Sequence, residues 1–559
     1  MIFPQDVFDV AGLALEVARS DPERTAVVEP AGRGADGRRR YRRFSYARLS
    51  ADVESVAPGL REMGIRERTR TVFMAPPSYE ASVAMLALAR VGAMTIWIDP
   101  SVGYRNVAER LRRIEPEAFV GLPVVHLGRL VFGWGPRTLR KLVVVNGRFP
   151  GARTLASLRR APAAEPTPAA VGPDDPCTIF YTTGSTGPAK PALYLHRHYA
   201  HLYRVVRESW RFDATAGVPV DMAIFPAFSL IGLVGRGTMV VPPIDFVRET
   251  PATADPAALL EVINDCGVRS CFASPVLLEN LARHAAAHGI ETPTLERVIG
   301  GGAPIFAAVM EALRRMMGGR GEVFANYGAT EALPSTEISA REALEETWAR
   351  TREGAGLCVG RPFRGVTLRV VRLSDGPIAS LEDTETLPAG EIGELIVRSA
   401  HVSPAYFRDE DATRKNKVTG SNGEIWHRIG DAGYLDEAGR FWYCGRVGQR
   451  VRSAEGPLFS LQCEPIFDAH PAVRRSGLVG VPDGAYERAV LCVERRPEAT
   501  ETPEATLRAE LLALAASRPL TRPIRDVLFP KALPVDPRHN SKIERPALAR
   551  WAAAQRPRS

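Results

Sequence analysis

The stretch "TIFYTTGSTGPAKPALYLHRHYAH" runs from Thr178 to His201 and joins an apolar strand pattern to a loop of two glycines, four Ser or Thr residues and one lysine. Such a loop at the end of a buried strand is a place for phosphate, because successive backbone N–H groups in a Gly/Ser/Thr turn form an anion-binding nest. It does not follow the Walker pattern, which needs Gly, four residues and then Gly-Lys-Ser/Thr. Here Gly187 is followed by Pro188 and Ala189 before Lys190, and Pro191 stands where the hydroxyl residue belongs. A P-loop kinase or ATPase is therefore excluded. Taken alone, the loop is also compatible with a plain strand–helix connection.

Upstream of it, helix and strand patterns alternate. "SYARLSADVESVAPGLREMGI", "YEASVAMLALARVGA" and "VAERLRRIEPE" read as helices, while "TVFMAPP", "MTIWIDP" and "AFVGL" read as strands. Strands that are apolar throughout and joined by helices imply a parallel sheet covered on both faces. Ligands of such sheets sit at the carboxyl ends of strands. From about Gly354 the pattern changes to short strands, such as "VTLRVVRL" and "RFWYCGR". The last stretch has its own strands ("SGLVGV", "AVLCVER") and helix ("LRAELLALAA"). The expected fold class is α/β: a large N-terminal domain of βαβ-type sheets with a short β subdomain, residues 1–445, and a small α+β C-terminal domain, residues 446–559.

Length and composition agree with this division. A chain of 559 residues is too long for one core, and 45% hydrophobic with 24% charged residues is ordinary for a globular enzyme. A net charge of +8 is mild and spread along the chain, so no nucleic-acid partner is expected. The densest basic run, "GRRRYRR" (residues 37–43), reads as a solvated loop before a strand. Seven scattered cysteines without a Cys-x-x-Cys pair argue for a reducing compartment and against a zinc cluster. With no secretion signal and no apolar run of membrane-spanning length, a cytoplasmic protein without a transmembrane segment is expected. "VVHLGRLVFGWGPRTLRKLVVV" (residues 124–145) is apolar and basic together; it reads as a buried helix and strand, with a membrane-surface patch as the alternative.

Four further elements share the chemistry of the opening loop. "VIGGGAP" (residues 298–304) lets backbone approach a flat ligand closely, although a tight turn has the same composition. "NYGATE" (residues 326–331) offers a ring to stack, Thr330 for phosphate and Glu331 for Mg²⁺, although a satisfied surface turn reads alike. In "WHRIGDAGYLDEAGRFWYCGR" (residues 426–446), Asp431 is a carboxylate for ribose hydroxyls, whereas Asp436 belongs to hairpin chemistry. In "LPVDPRHNSKIERPAL" (residues 533–548), Lys542 is a point charge on a flexible stem before a helix.

In this order, over nearly the whole chain, these pieces resemble the adenylate-forming superfamily of acyl-CoA synthetases, luciferases and peptide-synthetase adenylation domains. The resemblance implies ATP and Mg²⁺ as cofactors and a small C-terminal domain that rotates between half-reactions. It implies that Thr182, Thr183, Gly184, Ser185, Thr186, Gly187 and Lys190 contact the phosphates, and that Gly302, Ala303 and Pro304 border the adenine. It further implies that Tyr327, with Gly328 and Ala329, packs against the base, and that Thr330 and Glu331 hold phosphate and metal, with Thr183 beside the metal. By the same resemblance, Asp431 and Arg446 are expected to hold the ribose and Lys542 to drive adenylation. Lys542, Glu331, Lys190 and Thr182 form the implied catalytic set.

The chain departs from the common pattern after "GR". It reads "GRVGQRVRSAEGPLFSLQCEP", with Gly448 where a hinge carboxylate is usual and Arg452 near the usual lysine. Phe228 and Ser229 stand where the acid pocket commonly has a histidine. "QRVRSAEGPLFSLQCEPIF", "LPVDPRHNSKI" and "REGAGLCVG" are similar to one branch, the olefin-pathway β-lactone synthetases. That branch implies a long-chain 2-alkyl-3-hydroxy acid as substrate, a β-lactone, AMP and pyrophosphate as products, and leaves open a complex with other olefin-pathway enzymes. The alternatives are a long-chain fatty acyl-CoA or acyl-AMP ligase with a diverged hinge, and a degenerate adenylate-binding scaffold. His196, His198 and His201 read as packing or loop residues.

Overall fold

In this computed structural model, residues 10–98, 103–135, 137–161, 169–182, 189–212, 217–499, 502–535 and 543–555 are described. The apolar runs form the strands expected of them. Arg70–Met74 and Ala118–Gly121 are buried almost throughout, as strands covered on both faces must be. The helices before and after Arg70–Met74, Tyr46–Glu62 and Tyr79–Arg90, begin at Ser45 and Ser78, whose side chains accept from the Arg48 and Ala81 amides. Each cap satisfies a donor that the first helical turn leaves unpaired.

These strands belong to an eight-stranded sheet whose spatial order includes Pro176–Tyr181, Met94–Trp97, Arg70–Met74, Ala118–Gly121 and Lys141–Val144, all parallel. The opening loop is not a strand–helix connection. Pro176–Tyr181 returns as the antiparallel strand Pro191–Leu195, with Tyr181 opposite Pro191, and the helix His196–Ser209 starts only after that. The loop thus joins two antiparallel strands, whose ends are held together by Thr182 N–H donating to Lys190 O at 2.9 Å.

A second, nine-stranded sheet places Glu322–Ala329, Arg297–Gly300, Ser270–Ala273 and Val220–Ala223 in parallel. Its far edge corrects the reading of "GRRRYRR". Arg39–Ser45 is a strand, antiparallel to Thr25–Arg33. The charges suit an edge because carboxylates meet them there: Arg39 Nη2 lies 2.9 Å from Glu261 and Arg42 Nη2 2.7 Å from Glu29.

A third, antiparallel sheet contains Phe441–Arg446, Ile425–Leu435, Gly393–Arg398 and Thr367–Val371, with Lys417–Thr419 paired to Ile425–Leu435. Beyond Arg446, the hairpin Val473–Asp483 and Tyr486–Arg495 takes Ile524–Leu528 as a parallel third strand. A separate apolar cluster with Phe467, Leu491 and Leu511 lies beneath it. The helix Ser460–Asp468 connects the two parts, Gln462 Nε2 donating to Gly354 O at 3.3 Å.

The reading of residues 124–145 holds for only one of its two elements. Lys141–Val144 ends in buried Val143 and Val144. The helix Pro123–Val131, however, lies at the flank of the sheet and turns Leu127 and Leu130 outward. A flanking helix has only one face to bury.

Candidate functional site

The carboxyl ends of both parallel sheets and the short-stranded sheet meet at a cleft of about 1990 Å³. Thr182, Lys190, Gly302, Ala303, Pro304, Tyr327, Gly328, Ala329, Thr330, Glu331, Asp431 and Arg446 all line it. Thr183, Gly184, Ser185, Thr186, Gly187 and Lys542 lie outside the described residues. The two residues that bracket the Lys542 segment, Val535 and Ile543, form a β-bridge and also line the cleft.

Local geometry explains the glycines. Gly302 turns the chain away from the end of Arg297–Gly300 with φ of +87°, where other residues are strained. A Cβ on Gly328 would stand 2.5 Å from Ala332 O, so the hairpin that carries "NYGATE" closes only with glycine there. At its tip, Tyr194 donates its hydroxyl proton to Thr330 O at 2.7 Å.

Asp431 and Arg446 face each other across adjacent strands. Arg446 Nη1 lies 3.0 Å from Asp431 Oδ1 and donates to Ile429 O at 3.0 Å. Asp431 Oδ2 accepts from the Tyr327 hydroxyl at 2.6 Å. Burial, reinforced by the Asp431 charge, holds the Tyr327 phenol well above its usual range, so the proton stays on the tyrosine. Phe441 and Tyr443 pack tilted against the Tyr327 ring at 5.7 and 5.8 Å and fix its plane.

Glu331 is 6% exposed, and such a carboxylate needs partners. Tyr406 donates its hydroxyl to Oε1, and His427 Nε2 stands 3.8 Å from Oε2. Burial drives the His427 imidazole well below its ordinary value; it is neutral, and its contact with Glu331 is not an ion pair. Lys417, buried, donates to Ser403 O and lies 3.3 Å from His427 Nδ1. Burial pushes its ammonium down to about 7. Lys190 Nζ is held by Asn416 Oδ1 at 3.1 Å, and desolvation lowers its pKa as well. Both ammonium groups stand 5.5 Å from the centre of the Tyr406 ring.

Tyr406, Asn416, Lys417 and His427 complete the site, yet sequence motifs alone do not single them out. The signals are faint: a lysine that opens the short strand Lys417–Thr419 and a histidine within a quoted motif. The arrangement is a buried cationic pocket around one carboxylate, beside an aromatic platform tied to a second carboxylate. It suits a polyanion with a flat base and a ribose. Beside it, Phe225, Phe228 and Trp210 gather on Phe272 at 5.0 to 5.3 Å, an apolar wall for a hydrocarbon chain. Ser229 is buried there and donates to Pro226 O at 2.8 Å.

Residues 15–407 match the family model described as AMP-binding enzyme. The chain belongs to that family. Full-length relatives of this AMP-binding enzyme include the olefin β-lactone synthetases of Xanthomonas campestris pv. campestris, 37% identical over 98% of both chains, and of Stenotrophomonas maltophilia, 38% identical over the same shares. Among solved structures, the amide bond synthetase McbA from Marinactinospora thermotolerans superposes with a TM-score of 0.78 at 22% identity, covering 98% of this chain and 100% of its own. ATP-bound MatB from Rhodopseudomonas palustris gives 0.74 at 22% identity, over 97% and 99%. The fold of the AMP-binding enzyme is therefore that of adenylate-forming proteins. Among the described residues, no helix is long and apolar enough to cross a membrane.

Proposed function

We propose that this AMP-binding enzyme activates a long-chain 2-alkyl-3-hydroxy acid with ATP and closes it to a β-lactone. The observation that carries this reading is the end-to-end likeness to two olefin β-lactone synthetases, at 37% and 38% identity. A carboxylate oxygen of the acid attacks the α-phosphorus, the bond to the β-phosphate breaks, and pyrophosphate leaves. The 3-hydroxyl oxygen then attacks the acyl carbon, AMP departs with the carbonyl–phosphate bond pair, and the hydroxyl proton is lost. Proximity within one molecule takes the place of a bound thiol.

In this reading Thr182 and Lys190, with residues 183–187, grip the phosphates. Gly302 to Pro304 border the adenine, Tyr327 to Ala329 pack on the base, and Asp431 and Arg446 take the ribose. Asp431, kept in place by the Tyr327 hydroxyl, accepts from the ribose hydroxyls. Glu331 fits Mg²⁺, since that ion is held by one or two carboxylates with phosphates and water filling the rest; Thr183 would be its second protein contact. When bound, the ion offsets phosphate charge, and Lys542 neutralises the charge that develops on the carboxylate and α-phosphate.

The part from residue 446 onward moves relative to the rest. Two of the ties across this junction support this: Arg450 and Arg452 reach Asp375 at 2.9 and 3.1 Å, but the Asp375 side chain is 61% exposed, and exposed pairs hold weakly. Seven unpaired cysteines fit a reducing, cytoplasmic setting.

The test is the purified protein with ATP, Mg²⁺ and a 2-alkyl-3-hydroxy acid, with and without CoA, products read by mass. We expect AMP, pyrophosphate and a product one water lighter than the acid, unchanged by CoA, while the 3-deoxy acid stalls as acyl-AMP. ADP as product would overturn adenylation. Acyl-CoA formed equally fast from a plain fatty acid would replace the lactone reading with the ligase.

A further inference from the structure

Five of the nine large hydrophobic side chains that stand exposed among the described residues fall between Val124 and Phe132. Val124 is 46%, Leu127 54%, Leu130 58% and Val131 66% exposed. Their spacing of three, four and seven positions puts Val124, Leu127 and Val131 on one face of the helix Pro123–Val131. The opposite face is anchored. His126 is fully buried, with Nε2 2.9 Å from Val143 O, and Trp134 just beyond the helix is buried too. The helix therefore lies flat on the sheet and holds its apolar side outward. Nothing inside the described chain covers it.

The charge around this face has one sign. Between Glu117 and Glu165 the sequence contains no Asp or Glu, but eight Arg or Lys residues. Arg137, Arg140 and Arg148 are exposed and make no ion pair among the described residues. The acids that approach from neighbouring elements are engaged: Glu117 with Arg70 and Lys141, and Glu80 with the Asn146 amide.

We propose that the helix Pro123–Val131 and its arginine rim dock on an anionic phospholipid bilayer. A short helix with an apolar outer face and basic flanks lies in the plane of the interface, its affinity set by apolar area and by attraction to anionic headgroups. A nine-residue helix gives reversible, salt-sensitive binding rather than insertion. Electroneutral lipid would not engage the arginines, and an apolar protein partner would have no use for a rim whose unengaged charges are basic. A hydrocarbon substrate would also be met at such a surface, although docking does not depend on that.

The test is flotation of the full-length protein with vesicles of phosphatidylglycerol and phosphatidylcholine, against phosphatidylcholine alone, at low and high salt. We expect flotation with the anionic vesicles, a loss at high salt, and a fall of about tenfold or more for the double variant Leu127→Asp, Leu130→Asp. These positions are exposed, so its melting temperature and its adenylation of a water-soluble acid should match the parent. Absence of vesicle binding, or equal binding by the folded variant, overturns the proposal. So does a concentration-dependent dimer in sedimentation that the variant abolishes, since the face would then be covered by a second copy.

Discussion

Tyr327 donates its hydroxyl proton to Asp431 across 2.6 Å, while Arg446 holds the other carboxylate oxygen at 3.0 Å. In the proposed reading, the tyrosine keeps the carboxylate aimed at the ribose. Tyr327→Phe retains the ring and its packing on Phe441 and Tyr443 but releases Asp431. A hydrogen bond to a charged group contributes about 1.5–3 kcal/mol, so we expect KM for ATP to rise about tenfold or more with kcat nearly unchanged. Steady-state kinetics at saturating acid check this. A collapse of kcat with unchanged KM would give Tyr327 a different role.

Glu331 is buried among Tyr406, His427 and two lysines, so its charge is balanced even without metal. Glu331→Gln keeps an acceptor for the Tyr406 hydroxyl and loses the charge that favours Mg²⁺. Activity should fall steeply and recover in part as Mg²⁺ is raised. If the variant instead melts far below the parent and no Mg²⁺ concentration restores turnover, the residue serves the hairpin rather than the metal.

Much of this site is legible in the sequence because its pieces are contiguous. "VIGGGAP" and "NYGATE" each deliver several cleft residues from one strand end, and buried strands read as plain apolar runs. What chain order hides is what pairing across strands creates. Lys417 and His427 are ten positions apart and meet because they are register partners. "GRRRYRR" reads as a loop because seven residues with five arginines have no apolar alternation; its partner Glu261 is more than two hundred positions away. The helix Pro123–Val131 reads as buried since periodicity reports an apolar face but not whether anything covers it.

The role proposed for Lys542 rests on motif order, and the bridge between Val535 and Ile543, both lining the cleft, is consistent with it. Removing a positioned donor to a developing charge typically costs about 10²- to 10³-fold in rate. Lys542→Ala should slow lactone formation from the acid by about that much. It should leave ring closure from a supplied acyl-AMP within about threefold. Equal slowing of both steps would place the lysine in the second step too.

Asp221 lies under the apolar wall, fully buried. Its Oδ1 accepts from Trp210 Nε1 at 3.0 Å and from the Ser270 hydroxyl, but no group among the described residues meets Oδ2. Burial therefore pushes the carboxyl up to about 7, against the two hydrogen bonds that favour ionisation. The native state then binds more protons than the unfolded chain between about pH 4 and pH 7. Stability is lost as pH rises through that window and stays reduced above it. Asp221→Asn preserves the acceptor for Trp210 and Ser270 and cannot ionise. The variant should melt higher than the parent at pH 8 and no higher at pH 5, by differential scanning calorimetry, with a flatter pH profile between. A variant less stable than the parent at pH 8 would mean that the ionised carboxylate is the form the fold prefers, and that its hydrogen bonds outweigh its burial.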